Sequence, residues 1–177
     1  MSLKTLPRHP HLILGGTRSG KSAYAEHLVS QFPPPYVYIA TAQILDDEML
    51  GRVHRHQERR KSSWETLESP FQLLETLRSL QGESKVVLVD CITLWLTNLL
   101  LHPSPAPHEK SIRELCQWIP KADYPLFLVS NEVGGGIVPE NPLARQFRDL
   151  AGYANQQIAA TCSAVTLVVA GLPLALK

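Results

Sequence analysis

At 177 residues the chain fits one domain and is long enough to bury a sizeable core. A composition of 44% hydrophobic and 19% charged residues is that of a soluble globular protein, and a net charge of +1 gives no basic field that would make nucleic acid the default partner. Three widely separated cysteines, Cys91, Cys116 and Cys162, with no C-x-x-C, suggest neither a disulfide framework nor a zinc site; they read as small buried hydrophobes in a reducing compartment.

The opening MSLKTLPRHPH has no secretory h-region, and the first ten residues are expected to be a disordered extension ahead of a domain at 11–177. HLILGG (11–16) reads as a buried strand running into a glycine loop. KSAYAEHLVSQF (21–32) is helical, with Ala25, Leu28 and Val29 on one side, and the prolines at 33–35 stop it. YVYIATA (36–42) is a second strand. The stretch 46–61 is expected to be a helix, acidic at its start and basic at its end as the helix dipole favours.

KVVLVDC (85–91) is the third expected strand, apolar on both faces and ending near Asp90, with a helix following to about residue 101. ITLWLTNLLL (92–101) is the most apolar stretch, yet far short of the ~18 residues of a membrane span. The prolines of HPSPAPHEK (102–110) imply a loop, and SIRELCQWI (111–119) a helix. PLFLVSNE (125–132) is the fourth expected strand and VGGGIVPENP (133–142) a long glycine loop. A helix with apolar spacing near 3.6 covers 143–162, and 164–176 supplies the last strand or strands. Strands alternating with helices imply one α/β domain with a mostly parallel sheet covered on both faces.

GGTRSGKS (15–22) matches the phosphate-cradling pattern G-x-x-x-x-G-K-[ST]. Gly15 and Gly20 permit the tight path that points backbone N–H groups at phosphate oxygens, and the helix starting near Lys21 adds its N-terminal dipole. Lys21 would reach the β- and γ-phosphates and Ser22 would place its hydroxyl on Mg²⁺. The metal needs an acid at the C-terminal end of a neighbouring parallel strand; Asp90 is the candidate, with helix N-capping as its alternative role.

In RVHRHQERR (52–60) helical spacing puts Arg52 and Arg60 on the same face as His56, with Arg59 close by. An imidazole among guanidinium groups is held neutral and suits a nucleophile attacking phosphorus. Spacing alone leaves open a solvated basic helix or one that grips nucleic acid or an acidic partner.

The order and spacing of GGTRSGKS, YIATAQILDDEM, RVHRHQERR and SNEVGGGIVPENPLARQFRDLAGYANQQIA resemble the bifunctional adenosylcobinamide kinase/adenosylcobinamide-phosphate guanylyltransferase family of cobalamin biosynthesis, over nearly the whole chain. The resemblance implies a RecA-like P-loop NTPase sheet, a cytoplasmic homotrimer, and adenosylcobinamide and its phosphate as substrates, with no nucleic acid or membrane partner. It implies phosphoryl transfer from ATP or GTP, then transfer of GMP from GTP through a histidine that falls on His56, with Mg²⁺ on Ser22 and Asp90. The implied nucleotide contacts are Gly15, Gly16, Thr17, Arg18, Ser19, Gly20, Lys21 and Ser22, then Ala40, Thr41 and Ala42. They continue with Gln57, Glu58, Arg59, Arg60, Glu68 and Asp90. Asn131, Glu132 and the three glycines at 134–136 are candidate contacts to a large corrinoid, with a flexible surface loop as the alternative reading; Arg145 and Arg148 are read as phosphate contacts or an exposed basic face. The rival readings are a P-loop kinase of another small molecule and a P-loop nucleic-acid or regulatory module.

Overall fold

HLILG becomes β1 (His11–Gly15), buried along its whole length, and runs through the glycine loop into α1 (Lys21–Val29). The computed structural model describes residues 6–43, 63–102 and 107–177. It places β2 at Tyr36–Ala40, β3 at Trp64–Glu68, α2 at Leu73–Ser79, β4 at Val86–Asp90 and α3 at Ile92–Leu101. α4 (His108–Trp118) tightens into a 3-10 turn at Ile119–Lys121. β5 (Leu126–Asn131), α5 (Pro142–Thr161), β6 (Ala164–Val169) and β7 (Leu172–Ala175) complete the order.

The seven strands form one sheet in the order β3-β2-β4-β5-β1-β6-β7. All neighbours pair in parallel except β6 and β7. Those two form a hairpin around Ala170 and Gly171, whose φ angles of 51° and 80° make the two-residue type I′ turn that matches strand twist. Parallel strands return to the same end of the sheet, so Gly15, Ala40, Glu68, Asp90 and Asn131 all finish at one edge. That is the edge where ligands bind in open α/β sheets.

Because β-strand side chains alternate, the inner strands feed two cores. Leu12, Leu14, Val37, Ile39, Val87 and Val89 pack with α2, α3, α4 and α5 on one face. Ile13, Tyr38, Leu88, Phe127 and Val129 pack with Ala25, Leu28 and Val29 of α1 on the other. Each such side chain contributes about 1.5–3 kcal/mol by leaving water. With the phosphate loop between β1 and α1, this is a single-domain α/β fold of the P-loop NTPase class.

Several expectations need correcting. WETLE forms β3, a strand the chain-order reading missed because its exposed Glu65, Thr66 and Glu68 leave neither an apolar run nor a period-two alternation. It follows that Val86–Asp90 is the fourth strand and Leu126–Asn131 the fifth. Asp90 does not end a strand adjacent to β1, since β5 lies between them. Chain order alone does not reveal lateral order in a crossover sheet. α1 ends at Val29 rather than Phe32, and α4 begins at His108, inside the expected loop, because Pro107 can precede a helix without losing a needed N–H. The expected helix at 46–61 lies outside the described residues.

Candidate functional site

The phosphate loop is shaped by what its glycines allow. A Cβ on Gly15 would collide with the Ser19 side-chain oxygen and lie 2.6 Å from the Val168 carbonyl oxygen. Gly20, at φ 95°, is the N-cap of α1 and supplies the carbonyl of its first helical bond, to Tyr24 N–H at 3.0 Å. Among the described residues no side chain caps this helix, so its first turn presents backbone donors and its positive dipole end. Arg18 is also left-handed at φ 57°, which turns the loop sharply at the middle of GGTRSGKS. Lys21 donates from Nζ to the Gly16 carbonyl at 3.3 Å, folding its ammonium back over the loop. Gly16, Thr17, Arg18 and Gly20 are exposed, Lys21 and Ser22 half-buried, and Ser19 buried.

The ends of β2 and β4 are tied together beside it. Thr41 is fully buried; its hydroxyl donates to the Cys91 carbonyl at 2.7 Å and accepts from Cys91 N–H at 2.8 Å. Asn98 of α3 donates to the carbonyls of Thr41 at 2.7 Å and Pro70 at 2.9 Å. The Thr41 side chain is therefore committed to the frame, while Ala40 and Ala42 stand half-buried on either side of it. Glu68 is exposed at the end of β3, directly across from Ala40 in the sheet register.

Asp90 is half-buried at the end of β4. The Cys91 thiol behind it is pushed up to about 11, by burial first and then by the Asp90 charge, with the Thr93 hydrogen bond and the Lys21 ammonium acting the other way. Lys21 and Asp90 are thus both near enough to act on one thiol. From Cys91 a chain of polar groups crosses the back of the site. Cys91 Sγ lies 3.1 Å from Thr93 Oγ1, which accepts from Asn131 Nδ2 at 3.0 Å. Asn155 Nδ2 donates to the Asn131 carbonyl at 3.1 Å, and Ser130 donates to Asn155 Oδ1 at 2.7 Å.

The glycine loop leaves this edge from Glu132, whose N–H bonds the Gly15 carbonyl at 3.1 Å. Neither arginine of α5 is simply an exposed basic group: Arg148 donates to the Gly134 carbonyl at 2.9 Å, and Arg145 to the carbonyls of Pro139 and Glu140. Ile137, at 97% exposure, stands at the loop's outer reach. Thr93, Asn98 and Asn155 went unmarked in the sequence because each sits in a helix whose apolar pattern dominates. His56, Gln57, Glu58, Arg59 and Arg60 lie outside the described residues, so the structure brings together the phosphate loop, Ala40–Ala42, Glu68 and Asp90 at one edge.

Among the described residues no three His, Cys, Asp or Glu side chains gather as a metal cluster. The Ser22 hydroxyl and Asp90 carboxylate are hard oxygen donors, the type Mg²⁺ accepts alongside water and phosphate. That donor chemistry fits the metal.

Comparison with known proteins agrees with this geometry. A family model described as cobinamide kinase / cobinamide phosphate guanyltransferase matches residues 11–176. The bifunctional adenosylcobalamin biosynthesis protein CobP of Pseudomonas aeruginosa is 47% identical over 166 residues, covering 94% of this chain and 96% of the relative. The corresponding CobU proteins of Escherichia coli and Salmonella typhimurium are 41% and 42% identical, each alignment covering 94% of this chain and 98% of the relative. Among solved structures, a Pyrococcus horikoshii protein superposes with a TM-score of 0.56 at 10% identity, covering 97% of this chain and 88% of that one. A type III secretion ATPase superposes at 0.52, also at 10% identity, covering 93% of this chain and 56% of that one. These two likenesses concern the fold alone. The chain belongs to the cobinamide kinase / cobinamide phosphate guanyltransferase family.

Proposed function

We propose that the chain is a bifunctional transferase of cobalamin biosynthesis, phosphorylating adenosylcobinamide and then converting the phosphate to adenosylcobinamide-GDP. The observation that carries the reading is the folded Gly15–Ser22 loop, with Lys21 turned onto it, in a chain matching that family over residues 11–176. In the kinase step the aminopropanol hydroxyl oxygen bonds to the γ-phosphorus of ATP or GTP. The bond to the β-bridging oxygen breaks, the nucleoside diphosphate leaves, and the hydroxyl proton passes to solvent. In the second reaction an imidazole nitrogen of His56 bonds to the α-phosphorus of GTP and pyrophosphate leaves. A phosphate oxygen of adenosylcobinamide phosphate then displaces the imidazole and takes GMP. Splitting the transfer in two spares the protein from holding both bulky substrates in one attack geometry.

The loop N–H groups and Lys21 hold the triphosphate, and Arg59 and Arg60 balance charge near His56. Ser22 and Asp90 would hold Mg²⁺, which when bound neutralises charge on the phosphate oxygens. Ala40–Ala42, Gln57, Glu58 and Glu68 would supply further contacts to the guanine nucleotide, and the glycine loop would take the corrinoid. Assembly as a cytoplasmic trimer is part of the same reading. Self-association is supported by the exposed apolar side chains of the β6–β7 edge, with Leu172 at 72% and Leu174 at 57%.

The test is labelling with GTP carrying its label at the α-phosphate, against a γ-labelled control. The expected adduct is acid-labile and alkali-stable, comes from the α-label only, disappears with a chelator and is absent in His56→Ala. Kinase activity with no adduct at all would overturn the histidine route and leave a plain P-loop kinase.

A further inference from the structure

The phosphate loop is braced from behind by the far end of the chain. In the turn between β6 and β7, Gly171 N–H donates to the Ser19 carbonyl at 2.8 Å. The contact is close throughout: a Cβ on Gly20 would lie 3.2 Å from Gly171 Cα, and one on Gly15 would lie 2.6 Å from the Val168 carbonyl oxygen.

A trans peptide is planar, with its C=O and N–H on opposite sides. The Ser19–Gly20 bond is not among the cis bonds. Fixing the Ser19 carbonyl on the hairpin therefore turns the Gly20 N–H away from the hairpin, to the side where the loop would enclose phosphate. Little else holds that plane. Gly20 has the torsional freedom of glycine, and the buried Ser19 hydroxyl has no hydrogen-bond partner among the described residues. The brace itself depends on turn geometry, because Gly171 presents its N–H only with Ala170 and Gly171 both left-handed, at φ 51° and 80°.

We propose that Gly171 is a positioning residue for nucleotide binding: its N–H fixes the Ser19–Gly20 peptide plane so that Gly20 N–H meets a phosphate oxygen. This rests on the reading of Gly15–Ser22 as a phosphate loop. Gly171 touches no nucleotide and acts only through the loop.

The bond can be removed without changing any side chain. A synthetic peptide spanning 162–177 begins with Cys162 and can be ligated to residues 1–161, with an ester in place of the Gly171 amide. The control places the ester at Leu176, whose N–H bonds the Val165 carbonyl at 2.8 Å in the same hairpin. Relative to the ligated all-amide protein, the Gly171 ester is expected to raise the Kd for Mg·GTP about tenfold. The Leu176 ester should stay within about twofold, even if both lower the thermal midpoint alike. Unchanged binding in the Gly171 ester, or equal weakening in both, overturns the proposal.

Gly171→Ala gives a second route by ordinary expression, since its Cβ meets nothing within 4 Å and only the turn conformation is strained. It should raise the KM for GTP about fivefold with kcat nearly unchanged, and an unchanged KM counts against the brace. Lys21→Ala separates the two layers. Wild-type nucleotide binding in Lys21→Ala overturns the phosphate-loop reading itself, whereas lost binding there with normal binding in the Gly171 ester overturns only the brace.

Discussion

His11 sits inside β1 with only 6% of its surface exposed, its Nε2 2.9 Å from Thr166 Oγ1 and its ring 6.0 Å from that of Phe127. Burial pushes its pKa down to about 4, against a backbone hydrogen bond at Arg8 that acts the other way and outweighs the Arg8 charge. A histidine neutral in the folded chain and titrating near 6.5 when unfolded makes the unfolded state bind more protons below that value. Stability is therefore complete above about pH 6.5 and falls as pH drops toward about 4, where the folded form also protonates. Urea unfolding at pH 7 and pH 4.5 should show a smaller acid loss in His11→Gln than in wild type. An equal loss in both would place the acid sensitivity elsewhere.

At the scale of an element, α5 shows one helix end serving a loop. Asn141 caps it by accepting from Leu143 N–H at 2.8 Å and Ala144 N–H at 3.2 Å. The first two turns then send Arg145 and Arg148 back onto the glycine loop. Asn141→Ala should cost about 1 kcal/mol in chemical denaturation and speed amide exchange at 134–140 beyond that at the end of α5. Exchange that rises equally at both ends would mean the cap does not govern the loop.

Such elements differ in how far the sequence announced them. β1, β4 and β5 were legible because short continuous apolar runs have few other uses, and α1 because its apolar residues fall on one side ahead of the prolines at 33–35. The phosphate loop was legible because its residues are fixed by backbone geometry. β3 was not, since an edge strand half in water has no apolar run to read. The lateral place of β4, and the contact of Gly171 with Ser19, were also hidden: both are long-range facts that local pattern does not encode.

For the whole molecule, the sheet gathers its strand ends at one edge and leaves β7 as an apolar border, with Leu172, Leu174 and Val169 more than half exposed. No helix among the described residues is long and apolar enough to cross a membrane. The trimer proposed above predicts that light scattering gives about three times the 19.7 kDa chain mass. A single-chain mass at micromolar concentration would remove it.

The buried cysteines carry a practical consequence for watching this protein work. All three thiols are free and enclosed, with Cys91 and Cys116 pushed up to about 11 and Cys162 to about 12 by burial. Thiol reagents act on the accessible thiolate, so at neutral pH the native chain is a silent background. A single cysteine introduced at an exposed position such as Ile137 would take up a fluorophore selectively, with no native cysteine removed, and would report directly on the glycine loop.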